Sequence, residues 1–285
     1  MKYPKIDLKT IRLQARQFQA ENPRLFLVYL LPSMLVILSG FLNPLERINE
    51  SILEQSFLSV FAHVFQAYIF PLLVSFIGAI LLTSSVYTTL KLIKNPDTEL
   101  SVKNSLTLFN EEHFSQTFLT LLLKRFYLFL WSIPSLLGIY FLFYSSFLAK
   151  KFVVLHPEFP NLDLTSIETE RFLMTFGLYF LASILLMIVG NSLYIPQYYA
   201  YSQVEFLLCD TLDLGQAKPG QILKTSRFLM KGYKFQRFIL DLQLLPWYFL
   251  NWITFGIASF SLLPYIQINK MIFYRAVLAR KRPKA

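Results

Sequence analysis

The stretch Leu242–Asn269, LQLLPWYFLNWITFGIASFSLLPYIQIN, contains no Asp, Glu, Lys or Arg, and the number of times it crosses a bilayer decides the architecture of the chain. Four other runs are equally free of charge: Leu25–Leu45, Gln55–Leu90, Phe126–Ala149 and Phe172–Val204. Each is at least as long as the roughly 20 residues a helix needs to cross a hydrocarbon core. The composition agrees, with 55% hydrophobic and 15% charged residues and a mean hydropathy of +0.47. Soluble domains carry about a quarter charged residues, so a water-soluble globule is excluded, as is a disordered chain. The expected fold class is all-α, a polytopic transmembrane helix bundle.

The segments between the runs set orientation, because Lys and Arg in short loops stay on the cytoplasmic side. Up to Arg24 there are six basic and two acidic residues, whereas Asn43–Ser56 holds only Arg47 against Glu46, Glu50 and Glu54. Lys91–Arg125 has five basic residues, Lys150–Arg171 three against four acidic, and Glu205–Asp241 six. The alternation inside, outside, inside, outside, inside gives four crossings and a cytoplasmic N-terminus. A single fifth crossing would then place Lys270, Arg275, Arg280, Lys281, Arg282 and Lys284 outside, against the rule. Two crossings turning at Phe255-Gly256 remove the conflict and leave the C-terminus cytoplasmic. Five spans, or a re-entrant loop buried in protein, is the alternative.

The resulting domain plan is a cytoplasmic amphipathic helix over 1–24, a single transmembrane domain over 25–276 and a basic cytoplasmic tail over 277–285. The six spans fall at about 25–43, 66–90, 122–148, 172–196, 235–254 and 257–276. Ser56–Val64 is expected as an outer interfacial helix and Gln197–Leu208 as helix at the inner interface, where Tyr194, Tyr198, Tyr199 and Tyr201 read as an aromatic belt. Leu8, Ile11, Ala15 and Phe18 recur at helical spacing away from Lys9, Arg12 and Arg16, which predicts a basic helix lying on the inner leaflet. The basic start followed by an apolar run does not read as a signal peptide, because the run is of spanning length and no small-residue cleavage pair follows it.

The two inner loops share a pattern when Tyr87 is laid beside Tyr201. Leu92-Ile93-Lys94-Asn95-Pro96-Asp97, an amphipathic Ser101–Asn110 and a span with Trp131 parallel Leu207-Leu208-Cys209-Asp210-Thr211, Gln221–Lys231 and a span with Trp247. Val102, Leu106 and Phe109 form one apolar stripe, and Ile222, Leu223, Ser226, Leu229 and Met230 the other; both are expected on the membrane surface. Duplication and chance similarity of apolar sequence both account for the match.

The C-terminal third carries the series Tyr198-Tyr199-Ala200-Tyr201, Leu207-Leu208-Cys209-Asp210, Ser226-Arg227-Phe228-Leu229-Met230-Lys231-Gly232-Tyr233-Lys234, Phe238-Ile239-Leu240-Asp241-Leu242, Trp247, Thr254-Phe255-Gly256-Ile257, Pro264-Tyr265 and Phe273-Tyr274. In this order it resembles a family of bacterial integral membrane proteins catalogued as domain of unknown function 975, over about 194–278 and faintly at Glu21-Asn22-Pro23. The chain departs from the family at Tyr194-Ile195-Pro196-Gln197 and Ile133-Pro134-Ser135, where an Ile-Pro-Gly step is usual. The resemblance implies a multipass membrane protein and brings no activity, substrate or catalytic residue.

Chemistry has few candidates. His63 and His156 are expected outside and His113 inside, so they cannot share one metal. Glu111-Glu112-His113 reads as a solvated turn, and Asp210 with Asp213 as the start of a surface helix rather than a metal pair. The single Cys209 cannot form an internal disulfide, and HExxH, GxSxG and GxxxxGK[ST] patterns are missing. No enzyme activity, cofactor or metal is expected. The excess of ten positive charges is assigned to a bilayer with an anionic inner leaflet, not to nucleic acid. Candidate lipid- or partner-contacting residues are Lys224, Arg227, Lys231, Lys234, Arg237, Tyr198 and Tyr201. No span places an ionisable residue at mid-membrane, which argues against ion-coupled transport. The expected function is a non-catalytic accessory, regulatory or envelope-protection protein of the cytoplasmic membrane, with a membrane protein as a further partner. The alternative is a permease-like pathway for a lipid or small amphiphile past Asn191, Ser192 and Asn251.

Overall fold

A computed structural model describes residues 5–40, 57–156, 167–215 and 218–281, with side chains at all of these except 39–40 and 57–68. All regular structure among them is helical. In chain order it comprises α1 Leu8–Glu21, α2 Leu25–Val28, α3 Leu30–Gly40, α4 Phe57–Lys94, a 3-10 helix Val102–Phe109, α5 Glu111–Leu155, α6 Ile167–Ala200, α7 Val204–Leu212, α8 Pro219–Leu229, α9 Lys234–Ile253 and α10 Ser259–Lys281. The expected loop 43–56 lies outside the described residues, and the helix expected separately at Ser56–Val64 is, from Phe57 on, the first part of α4. Among the described residues three stretches are long and apolar enough to cross a membrane: Ile69–Lys94, Glu111–Leu155 and Ile167–Leu212. The first expected span is broken at Tyr29 into α2 and α3, and neither α9 nor α10 is apolar enough to join the three.

The chain forms two compact units, Met1–Lys124 with Tyr199–Ala285, and Arg125–Tyr198. The second is an antiparallel hairpin of the later part of α5 and most of α6. Phe152 stacks on Phe172 at 3.9 Å between centroids and Tyr144 meets Tyr179 edge-on at 4.8 Å. Further along, a Cβ on Gly138 would stand 2.8 Å from Cγ of Met187, and one on Gly190 2.4 Å from the backbone N of Ser135. Small residues at these crossings let the two backbones touch, the mode by which helices associate where no hydrophobic force separates them from lipid tails. The outer faces of the hairpin are apolar and exposed, at Phe143, Leu178, Leu181, Leu185 and Ile188 among others.

The first unit is organised around the second half of α4, where Thr83-Ser84-Ser85-Val86-Tyr87-Thr88-Thr89 is buried throughout. Thr83, Ser85, Thr88 and Thr89 return hydrogen bonds to carbonyls four residues back, the usual way a helix accommodates buried hydroxyls. The same residues also tie neighbours on. Ser85 donates to the carbonyl of Val28 at 2.7 Å, Thr89 pairs with the Tyr29 hydroxyl at 3.0 Å, and Ser84 donates to the carbonyl of Asn104 at 3.0 Å. The carbonyl of Val28, freed by the break at Tyr29, also accepts from Ser105 of the 3-10 helix. The helix break and the hydroxyl cluster therefore satisfy one another.

α9 and α10 make a hairpin whose bounds fall within a few residues of the expected fifth and sixth spans. The turn is where it was expected, with φ of 51° at Phe255 and 86° at Gly256. Glycine at 256 also permits close approach, since a Cβ there would meet Cγ1 of Ile37 at 3.0 Å. α1 runs antiparallel beside α10. The Arg280 guanidinium donates to the carbonyl of Lys5 at 3.1 Å, and Gln19 donates to the carbonyl of Ser261 at 3.0 Å. Ile11 and Ala15, expected to face lipid, are buried in this contact side of α1. The α8 stripe likewise faces protein: Ile222, Leu223, Ser226, Leu229 and Met230 are all buried. In the 3-10 helix it is Ser105 and Leu108 that are buried, while Leu106 and Phe109 are exposed.

Candidate functional site

A cleft of about 540 Å³ opens between the end of α4, α7 and the last turns of α10. Its apolar walls include Leu90, Ile93, Leu207 and Leu278, and its charges are Lys94, Asp210, Asp213 and Arg275. The sequence places Asp210 and Asp213 at the start of a surface helix; instead Asp210 lies within α7 and Asp213 caps its C-terminus. The reason is that Val204, Phe206, Leu207, Leu208, Cys209 and Leu212 bury nearly the whole of α7, so the helix is fixed by its apolar residues and its acids emerge at the end. Asp210 accepts from the Tyr274 hydroxyl at 2.7 Å and pairs with Lys94 at 3.1 Å. Asp213 accepts from the Tyr87 hydroxyl. In the first turn of α7, Glu205 pairs with Lys124 of α5. The carboxylates on α7 are thus each matched by a cation or a phenol from a neighbouring helix, an arrangement that fixes helices but offers no activated nucleophile.

The remaining titratable candidates do not converge. His113 stands at the start of α5 beside the ring of Tyr87, with Glu111 and Glu112 exposed, whereas His156 belongs to the other unit, 4.0 Å from Glu168. The side chain of His63 lies outside the described residues. Among the described residues no three His, Cys, Asp or Glu groups come together as metal ligands. Cys209 is free and fully buried, its thiol 3.6 Å from the carbonyl of Thr83.

The family model for proteins of unknown function DUF975 matches residues 1–281. The chain belongs to the DUF975 family. No curated protein and no solved structure matches it.

Of the residues singled out in this DUF975 chain as contacts for lipid or a partner, Lys224, Arg227 and Lys231 are exposed and Lys234 is partly so. Lys234 is held below the usual lysine range, first by partial burial and then by the nearby Arg227 charge. Tyr198 is exposed in the hairpin unit. Arg237 and Tyr201 are each 3% exposed and cannot reach a headgroup. Arg237 faces inward at the root of the α9–α10 hairpin, 3.1 Å from Asp241 and with its guanidinium 5.8 Å from the centroid of Phe273. Its Nε and Nη1 make no aligned hydrogen bond, so Asp241 balances it by proximity of charge. Tyr199 is also buried, because α6 ends at Ala200 and the turn into α7 carries Tyr199 and Tyr201 into the first unit. Ser226 of α8 locks that turn, donating to the carbonyl of Ala200 at 2.8 Å and accepting from the N–H of Gln203 at 3.3 Å.

Sequence reasoning missed the hydroxyl cluster on α4 and the role of Ser226. A signal for the first existed, since seven consecutive residues from Thr83 to Thr89 include five hydroxyls besides Tyr87 in an otherwise apolar run.

Proposed function

We propose that this protein is a multipass protein of the cytoplasmic membrane, with both termini on the cytoplasmic side, acting as a non-catalytic accessory, regulatory or envelope-protecting component. The orientation rests on where the basic residues fall, 17 of 27 in the three segments read as inner up to Asp241 and only four in those read as outer. It is supported by the grouping of α1, the 3-10 helix, α7, α8 and the last turns of α10, all read as inner, within one compact unit. Four crossings by α2–α3, α4, α5 and α6, or six with α9 and α10 added, both satisfy this orientation. The non-catalytic reading is carried by one observation: the acids of α7 are each engaged from a neighbouring helix, Asp210 and Glu205 by the cations Lys94 and Lys124 and Asp210 and Asp213 by the hydroxyls of Tyr274 and Tyr87, so the polar groups hold helices together. The carrier of a lipid or small amphiphile is the second reading, favoured by the apolar cleft with a charged rim.

Deletion of the gene tests the first reading. The deletion strain is expected to gain sensitivity to detergents and membrane-active peptides, restored by the gene in trans, while purified protein in liposomes accumulates no solute down an ion gradient. Robust gradient-driven uptake would overturn the accessory reading in favour of transport.

A further inference from the structure

We propose that the cleft between α4, α7 and α10 is a lipid site whose occupant is a membrane phospholipid with both an ammonium and a phosphate in its head. The inference rests on the reading of the chain as a membrane protein and deepens it. Leu90 closes an uncharged run and Lys91 and Lys94 follow, so this end of α4 stands at the level of the headgroups. The cleft there, of about 540 Å³, falls within the range of about 300–1,000 Å³ of pockets that take a small molecule. Leu90, Ile93, Leu207 and Leu278 give it walls that suit a hydrocarbon chain. An apolar body with a few polar groups at the mouth is the usual make-up of such a site.

The charges that line the cleft select the head. Asp210 is engaged at both oxygens, with Oδ1 3.1 Å from Nζ of Lys94 and Oδ2 accepting from the Tyr274 hydroxyl at 2.7 Å, so Lys94 and Asp210 cancel within the protein. Asp213 has only a neutral partner, the Tyr87 hydroxyl at Oδ1, and its charge is left uncompensated. Arg275, exposed on α10, forms no ion pair among the described residues. Asp213 and Arg275 thus line one cleft with opposite charges that do not pair with each other. A purely anionic head would satisfy Arg275 and be repelled by Asp213, and a purely cationic head would do the reverse. A head with both charges satisfies each, its ammonium toward the Asp213 carboxylate and its phosphate toward the forked donors of the Arg275 guanidinium. Among common phospholipids this is the chemistry of phosphatidylethanolamine.

The test uses the full chain in mild detergent, with equal amounts of phosphatidylethanolamine and phosphatidylglycerol added to the micelles and the retained lipids counted by native mass spectrometry. Phosphatidylethanolamine is expected to be retained over phosphatidylglycerol by about fivefold, the scale of one ion pair at an exposed rim. The net charge of +10 attracts the anionic lipid to the rest of the surface, so this preference is a signature of the cleft. Asp213→Asn, which keeps an oxygen for the Tyr87 hydroxyl, is expected to abolish the preference, and Arg275→Gln to weaken retention of both lipids. Leu278→Trp, which fills the cleft, is expected to prevent specific retention of either, while Lys103→Gln, exposed on the 3-10 helix, changes nothing. Equal retention of the two lipids by the unaltered protein overturns the proposal, as does a preference that survives Asp213→Asn or retention unchanged in Arg275→Gln or Leu278→Trp. Arg275 is exposed and unpaired, so its variant stays readable should Asp213→Asn fail to fold. A negative result leaves the orientation standing, because binding in micelles does not depend on it. Gradient-driven uptake by a protein that shows the preference would overturn the accessory reading and keep the site.

Discussion

Ser226 shows how one small polar side chain holds three elements. It closes the turn between α6 and α7 by bonding both Ala200 and Gln203 from α8, in a place where no water reaches. Removing a hydroxyl there leaves a donor and an acceptor buried without partners, a loss of about 1–3 kcal/mol. Ser226→Ala is therefore expected to lower the thermal midpoint of the detergent-purified protein, and an unchanged midpoint would show that the turn is held by other means. At this scale the sequence was a partial guide. Ser226 was placed on the correct face of its helix, because an amphipathic period reports which residues share a side. What that side meets is not encoded in the period: Ile11, Ala15 and the α8 stripe have the spacing of lipid-facing residues and meet protein. Arg237 was misread for a related reason, since counting basic residues in a loop gives its side of the membrane but not which of them turns inward.

Among the elements, the α5–α6 hairpin depends on backbone contact at its small residues. A leucine at Gly190 has to displace the backbone of Ser135, which a Cβ would approach to 2.4 Å. Overpacking of this kind costs about 1–3 kcal/mol, so Gly190→Leu is expected to lower the thermal midpoint. Gly177→Ala, with nothing within 4 Å of the added carbon, is the control expected to leave it unchanged or slightly raised; equal effects of the two would refute close packing at Gly190. The lengths and ends of α9 and α10 were legible because charges bound an apolar run and Gly256 interrupts it. The break at Tyr29 was not read, although Pro32 lacks the N–H that would bond the carbonyl of Val28 four residues back; that Ser85 and Ser105 would both donate to that carbonyl instead has no local signal. Nor was the 3-10 form of Val102–Phe109, which opens on a Ser101–Asn104 capping box and packs along α4.

For the whole molecule, composition and charge distribution carry most of the account. They give an all-α chain with basic segments on one side; among the described residues the structure is helical, has three stretches of spanning quality and gathers the segments read as inner into one unit. The number of crossings is read least directly, because α9 and α10 fall short of the hydropathy of the three long stretches while their ends fall within a few residues of the expected fifth and sixth spans. Parity is independent of that difference: four and six crossings both return the C-terminus to the side of the N-terminus. The most direct test is a pair of reporters fused in turn after Lys281 of the full chain, one active only in the cytoplasm and one only beyond the membrane. Activity of the cytoplasmic reporter with silence of the other is predicted, and strong activity of the outer reporter would contradict the orientation on which the account is built.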